Sequence, residues 1–320
     1  MKSKVSHSKI FVKNYLFIDG ISRTGKMMLS RIIPTLNKFE QVEYVEFIEY
    51  ILAALHLKKI SFDFAKSFTI QTLNEMSYNK YIGRKQNIKP SDVTNVKNFY
   101  KDKIYKIRLN SPEGLRAINL VKKSKNYFPL MSHDIMTHYK NFKKFDLNYK
   151  VIQIYRNPFD VIYSWYKRGW GTRFQTDPQP VGLLLKSNNK HYPWYVAKKE
   201  KVWQNLNAVE RCAFIVINIT KKSINNHKLE KTNKKILTLT YEDFIQNTYK
   251  NINKICKFLN TTITLKTKKA LKKEKCPKIY NYENTLKKKM FIKSKVKLKT
   301  YNSICELEKK YKKNLYNLIK

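Results

Sequence analysis

The sequence predicts an α/β fold in which a central, mostly parallel sheet is flanked by helices. Three observations predict it. Short apolar runs bounded by turn residues recur at 15–19, 127–131, 149–155 and 235–241. Apolar residues with helical spacing follow them, and the start of one such helix is explicitly signalled at Asn157-Pro158. Strands that alternate with helices pair in parallel, because each crossover lays a helix on one face of the sheet.

Taken in order, Tyr15 to Asp19 is an apolar run closed by Gly20, at the end of a longer apolar stretch from Ile10 to Ile18 that also reads as strand. Met28, Leu29, Ile32 and Ile33 then share one side of a helix beginning near Gly25. Pro34 should end or kink that helix. Val42 to Leu57 reads as the next helix, with acids at Glu43, Glu46 and Glu49, and the polar stretch from Ser61 to Lys101 reads as helix and loop. Lys103 to Leu109 alternates enough for a strand, and Tyr127 to Met131 reads as another, ending at Ser132 and His133. Tyr149 to Tyr155 carries Val151, Ile152 and Ile154 immediately before Arg156. Asn157 can then cap a helix, Pro158 suits its first position, and the Asp160 carboxylate can reach back to free amides. Tyr195 to Asn226 reads as one long helix or two, Lys235 to Tyr241 as a strand, and Thr248 to Leu259 as an amphipathic helix. All of this lies in a domain spanning residues 1–275. From Cys276 to Lys320 there are 13 Lys against three Glu, so this stretch is expected to be a basic extension packed on, or trailing from, the same domain.

At 320 residues the chain is long enough to bury a substantial core, and 42% hydrophobic and 13% aromatic residues exclude wholesale disorder. The formal charge of +43 suits a polyanionic partner. The bases are 57 Lys and nine Arg, however, in a chain also crowded with Asn, Ile, Tyr and Phe, which is the signature of an A/T-rich coding sequence. What survives is a net attraction for anionic ligands, with no particular case for nucleic acid. Cys212, Cys256, Cys276 and Cys305 stand far apart with no CxxC pair, so neither a zinc site nor a disulfide framework is indicated and a reducing compartment fits. The apolar stretch from Phe47 to Leu57 contains Glu49 and is too short to span a bilayer. A soluble, cytoplasmic protein is expected.

Two constellations carry chemistry. Gly20-Ile21-Ser22-Arg23-Thr24-Gly25-Lys26 joins a predicted strand to a predicted helix. Such a loop suits phosphate, since glycines admit the backbone closely and consecutive amides point at the anion. It fits GxxxxGK, but Met27 stands where an ATP-binding loop of that kind needs Ser or Thr for magnesium, which weakens the alternative of a P-loop kinase. In the second, Arg156 lies at the carboxyl end of a strand and Ser164 eight residues later on the following helix, so both can converge on one anion. A basic nucleic-acid-binding protein is the other alternative; its affinity would fall steeply with salt.

Together the two loops resemble those of sulfotransferases that use 3′-phosphoadenosine 5′-phosphosulfate (PAPS). Gly20, Arg23, Thr24 and Gly25 match that family's GxxRSGTT loop, and Arg156, Pro158, Asp160, Ser164 and Tyr166 match RxPxDxxxSxY. The segment ILTLTYEDF at 236–244, followed by a helix ending KICKFLN, is similar to the strand and helix beyond the family's cofactor site. The resemblance covers roughly Tyr15 to Asn260. It implies a P-loop-like three-layer sandwich and transfer of a sulfuryl group to a hydroxyl or amine, here on a carbohydrate, small-molecule or glycan acceptor that the basic balance would allow to be anionic. It assigns cofactor contacts to Gly20, Ser22, Arg23, Thr24, Gly25, Lys26, Met27, Arg156 and Ser164, with Arg23 facing the leaving phosphate and no metal required. Lys26 and Met27 depart from the hydroxyl residues usual in the family. No counterpart of the Arg-Lys-Gly loop of cytosolic members is evident, and Lys287 to Lys289 or Lys293 are the substitutes to consider. For the base, Met-Ser-His at His133 is similar to the Lys-Thr-His of cytosolic members, with His138 a weaker choice. Other branches use a glutamate from the helix after the loop, which would be Glu46 or Glu43.

Overall fold

Five parallel strands form the sheet in the order β2-β3-β1-β4-β7: β1 (Tyr15–Asp19), β2 (Glu43–Tyr44), β3 (Phe128–Met131), β4 (Tyr149–Tyr155) and β7 (Ile236–Thr240). A separate antiparallel hairpin pairs β5 (Leu184–Ser187) with β6 (Lys190–Pro193). This computed structural model describes residues 5–98, 102–177, 182–230 and 234–319.

Alternate residues of the central strands divide between two faces, as strand geometry requires. Tyr15, Phe17 and Val151 pack with Ile48, Leu52, Ile70, Leu73 and Phe142 on one face. Leu16, Ile18, Ile152 and Ile154 pack with Leu29, Ile32, Ile252 and Ile255 on the other. Because both faces are covered, β1 is buried at every position and apolar up to Asp19 at its end. A third cluster joins the helices Pro158–Tyr166 and Ala208–Leu229 to Ile292, Ile304, Leu307 and Tyr311 from the C-terminal helices Tyr282–Lys295 and Leu298–Ile319.

The helices Lys26–Ile32, Pro158–Tyr166 and Thr248–Leu259 stand where the sequence places them. The helix between Tyr195 and Asn226 is broken in two, Glu200–Gln204 and Ala208–Leu229. Three expectations change. Of the Ile10 to Ile18 stretch, strand begins only at Tyr15. Between Val42 and Leu57, Glu43–Tyr44 pairs with β3 and the helix starts at Glu46. Lys103 to Leu109 lies in a helix, Asp102–Arg108, rather than a strand. The polar stretch beginning at Ser61 forms the helix Phe62–Tyr81, while its end at 99–101, like Lys320, lies outside the described residues.

The reason for the third change is tertiary. A helix sets Tyr105 and Arg108 one turn apart on one face, and Arg108 meets the buried Glu40 through two hydrogen bonds of 3.0 and 3.2 Å, its guanidinium lying over the rings of Tyr81 and Tyr105. Burial alone would raise the Glu40 pKa, but the charge and hydrogen bonds of Arg108 outweigh it and leave the carboxyl below its ordinary value. The pair therefore stabilises the fold above the ordinary carboxylate range, and its contribution is lost as pH falls through the lowered value. Arg108→Ala strands a carboxylate that keeps only Asn126 and Tyr81 as partners. A loss of about 2 kcal/mol is expected, read as a lower Tm.

Candidate active site

The loop after β1 passes close over β4. Gly20 (φ 146°) and Gly25 (φ 102°) have backbones that other residues rarely adopt, and a Cβ on either would collide: at Gly20 with the Ile154 carbonyl at 2.5 Å, at Gly25 with the Tyr241 ring at 2.5 Å. Arg23 at the turn's tip is itself left-handed (φ 73°), a strained setting for a residue with a Cβ. Thr24 closes the turn, its hydroxyl donating to the Ile21 carbonyl at 2.8 Å.

β1 and β4 are neighbours in the sheet, so Arg156 emerges beside this loop. Its Nη1 donates to the Arg23 carbonyl at 3.2 Å, and Arg23 Nε donates to Ser164 Oγ at 2.9 Å. The Trp165 indole donates to the Ser22 carbonyl at 2.9 Å, fastening the loop to the helix that carries Ser164. That helix forms as expected at its start: Asn157 accepts the Phe159 N–H, and Pro158 holds the first position. Tyr241, inside the 236–244 motif, underlies the junction, since the Arg156 guanidinium lies 4.3 Å from its ring centre.

Asp160 departs from its expected role. Rather than reaching back to the helix amides, its buried carboxylate accepts the Tyr280 hydroxyl, Thr285 Oγ1 at 3.3 Å and Lys288 Nζ at 2.6 Å, with Arg156 Nε farther off at 3.7 Å. Lys288 is thus committed to Asp160, and Lys289 to Glu308. These bonds tie residues 280–308 to the base of the site.

The residues present fit a doubly phosphorylated nucleotide. Arg23 titrates below its ordinary value, first through burial and then through the charges of Arg168 and Arg156, so three guanidiniums repel one another here. Among the described residues no carboxylate pairs with Arg23 or Arg168, and the Arg156 Nε is buried without a hydrogen-bond partner. Such an arrangement is relieved by an anion. Among the described residues no group of three or more His, Cys, Asp or Glu is placed to hold a metal ion.

Beside this basic cluster stands a different one. Asp19, at the end of β1, accepts Ser132 Oγ at 2.8 Å and the Ile135 and Met136 N–H groups, which fixes the turn after β3 and with it His133. Glu49 Oε1 accepts the backbone N–H of His133 and meets its ring Nδ1, each at 2.7 Å. With Glu49 ionised, Nδ1 is the ring donor and Nε2 keeps its lone pair. Burial, and then the Lys26 ammonium, lower the His133 pKa to about 3, while burial pushes the Glu49 carboxyl well up. Ile21 and His133 line two adjoining pockets. One contains Thr24 and Arg156; the other contains Glu49, Asp134, Trp165 and Trp194.

Of the residues expected from sequence, Gly20, Ser22, Arg23, Thr24, Gly25, Arg156 and Ser164 come together, with His133 at their edge. Lys26 turns beneath the loop and donates to the Ser132 carbonyl at 2.6 Å; burial lowers its ammonium to about 8 against the pull of Glu49 and Asp19. Met27 packs among Val42, Val93 and Met131, its sulfur accepting the Tyr44 hydroxyl. Glu46 is exposed one turn before Glu49, Glu43 pairs with Lys80, and His138 is buried against Asp134 and Trp194. Glu49 carries no site role in the sequence reading, although a signal for it exists: it shares a helical face with Val45 and Leu52, both fully buried, and an acid on an apolar stripe needs a partner.

The sulfotransferase domain family matches residues 16–316 of the chain. Comparison with curated proteins finds no match. Similar solved structures include the sulfotransferase domain of the curacin biosynthetic pathway (10% identity over 81% of this chain and 77% of that one, TM-score 0.43) and that of the Synechococcus PCC 7002 olefin synthase (14%, 82% and 78%, 0.41). A sulfotransferase from Alicyclobacillus acidocaldarius covers more, at 11% identity over 98% of this chain and 96% of that one, with a TM-score of 0.43. With the family match running from β1 into the last helix, and the glycine turn meeting Arg156 and Ser164 at the carboxyl ends of the central strands β1 and β4, the chain belongs to the sulfotransferase family and is an enzyme of sulfuryl transfer.

Proposed function

We propose that the enzyme binds PAPS across the carboxyl ends of β1 and β4 and transfers its sulfuryl group to a hydroxyl or amine of a carbohydrate or other small acceptor. The observation that carries this reading is the contact of Arg156, Arg23 and Ser164 at the carboxyl ends of the central strands, where the glycine turn lies. When bound, PAPS supplies the sulfuryl group on a phosphate leaving group.

Arg156 and Ser164 hold the 3′-phosphate, and the turn from Gly20 to Lys26 holds the other end of the nucleotide. The Arg23 guanidinium, free to swing from Ser164, balances the charge that grows on the leaving phosphate. His133 Nε2 takes the acceptor proton, and Glu49 keeps the ring in the tautomer that permits it. Trp165 and Trp194 offer flat faces to a sugar ring, while Trp170 packs edge-on against Trp165. No helix among the described residues is long and apolar enough to cross a membrane. The four cysteines are free, and a cytoplasmic setting would keep them so.

Thermal shift with 3′-phosphoadenosine 5′-phosphate against ADP, each with and without magnesium, tests the assignment. Stabilisation by the first nucleotide alone, independent of magnesium and worth about 2.7 kcal/mol at a hundredfold excess over Kd, is the expected result. Magnesium-dependent stabilisation by ADP would instead favour a kinase. Salt-sensitive binding of polynucleotide with no preference for the 3′-phosphate would favour the nucleic-acid reading.

A further inference from the structure

We infer that the acceptor is a hydroxyl compound carrying a protonated amine and no anionic group, with Asp134 recognising the amine. The inference rests on the transfer reaction proposed above and narrows its substrate. It also reverses the expectation of an anionic acceptor that the charge of the whole chain encourages.

The chain holds 66 Lys and Arg against 23 Asp and Glu, yet among the described residues none of those bases lines the acceptor pocket. Its acidic liners are Glu49 and Asp134. The ammonium groups of Lys26 and Lys222 act on Asp134 through space, but Lys26 is hydrogen-bonded to the Ser132 carbonyl below the loop and Lys222 to His56 Nε2, a ring packed against Trp194, and neither lines the pocket. An anionic acceptor would meet the Asp134 carboxylate with no Lys or Arg on the pocket wall. In a chain this basic, the local reversal of sign is a specificity feature.

A second observation points to a donor on the ligand. Asp134 is nine-tenths buried; its Oδ2 lies 3.6 Å from His138 Nε2, but its Oδ1 has no hydrogen-bond partner. A buried carboxylate oxygen without a donor is costly, and an ammonium N–H is the group that relieves both the missing bond and the charge. The remaining walls include the aromatic residues Tyr50, Trp165, Trp194 and Tyr195, a ring type whose face attracts cations.

The test is calorimetric titration of the full chain saturated with 3′-phosphoadenosine 5′-phosphate, using matched probes that differ in charge. Tyramine, 4-ethylphenol and 3-(4-hydroxyphenyl)propionate form one set; glucosamine, glucose and glucuronate form the other. In at least one set the amine should bind about tenfold more tightly than the neutral compound, from one charge-assisted hydrogen bond, with the anion weakest in both. Asp134→Asn should bring amine and neutral probes level while leaving nucleotide affinity unchanged, which also shows the variant folded. The wild-type comparison stands by itself if the variant does not fold. An anion that binds as tightly as its amine, no binding by any of the six probes, or an amine preference that persists in a folded Asp134→Asn overturns the inference. Failure of the wild-type chain to bind the nucleotide would instead remove the transferase reading, and is seen in a separate titration.

Discussion

Replacing His133 by Ala is expected to lower kcat by about 10²–10⁴-fold while leaving affinity for 3′-phosphoadenosine 5′-phosphate essentially unchanged. The ring lines both adjoining pockets, and on the proposed assignment its removal deletes the proton acceptor without touching a phosphate contact. Glu49→Gln should give a smaller loss, because the amide oxygen can still accept Nδ1–H, whereas its NH2, turned to Nδ1, would put the ring proton on Nε2 and disable the base in only part of the population. The pH dependence adds a check. Burial and the Lys26 ammonium hold His133 at about 3, so it stays unprotonated across the physiological range, and kcat should show no inflection near the ordinary imidazole value of about 6.5. Lys26→Met removes one of those two causes and should move the acid limb upward. Stopped-flow or steady-state sulfuryl transfer across pH reads all of these. A His133→Ala enzyme with undiminished kcat would transfer the role of base to a carboxylate, and Glu46 is the one to test next.

Arg156→Ala should raise the Kd for 3′-phosphoadenosine 5′-phosphate about 100-fold and leave that for adenosine 5′-phosphate, which has no 3′-phosphate, nearly unchanged. The reasoning is local. Asp160 is already satisfied by Tyr280, Thr285 and Lys288, so the guanidinium is not consumed by its 3.7 Å approach to that carboxylate. Its other contacts, a carbonyl and an aromatic face, leave donors for a ligand. Arg156→Lys should recover only part of the affinity, since an ammonium cannot grip a phosphate with a two-pronged fork. Titrating both nucleotides into both variants decides the matter, and an equal loss for both would mean that Arg156 shapes the loop instead of holding the 3′-phosphate.

Much of this site is legible from residue order because its parts are local. A glycine at each end of a turn, an arginine at a strand end and a serine two helical turns later are placed by backbone geometry alone, and β1 and β4 bring them together once the sheet is parallel. The partner of the proposed base is not local. Glu49 and His133 lie 84 residues apart, and their meeting depends on where Asp19 pins the turn after β3 and on which face the helix Glu46–His56 shows to the core. Helical spacing puts Glu49 on the apolar face with Val45 and Leu52, but only packing shows that His133 is the partner it meets there.

The same division holds for the whole molecule. The sequence by itself determined the parallel α/β architecture, the glycine turn after its first strand and the spacing of the arginine and serine, since periodicity, turn residues and capping act over a few neighbouring positions. Only the tertiary structure decided that Lys103 to Leu109 is helical, that Lys288 serves Asp160, and that a strongly basic chain encloses an acidic pocket. Those outcomes depend on which distant groups share a buried space, where an unpaired charge costs far more than local conformational preference can supply.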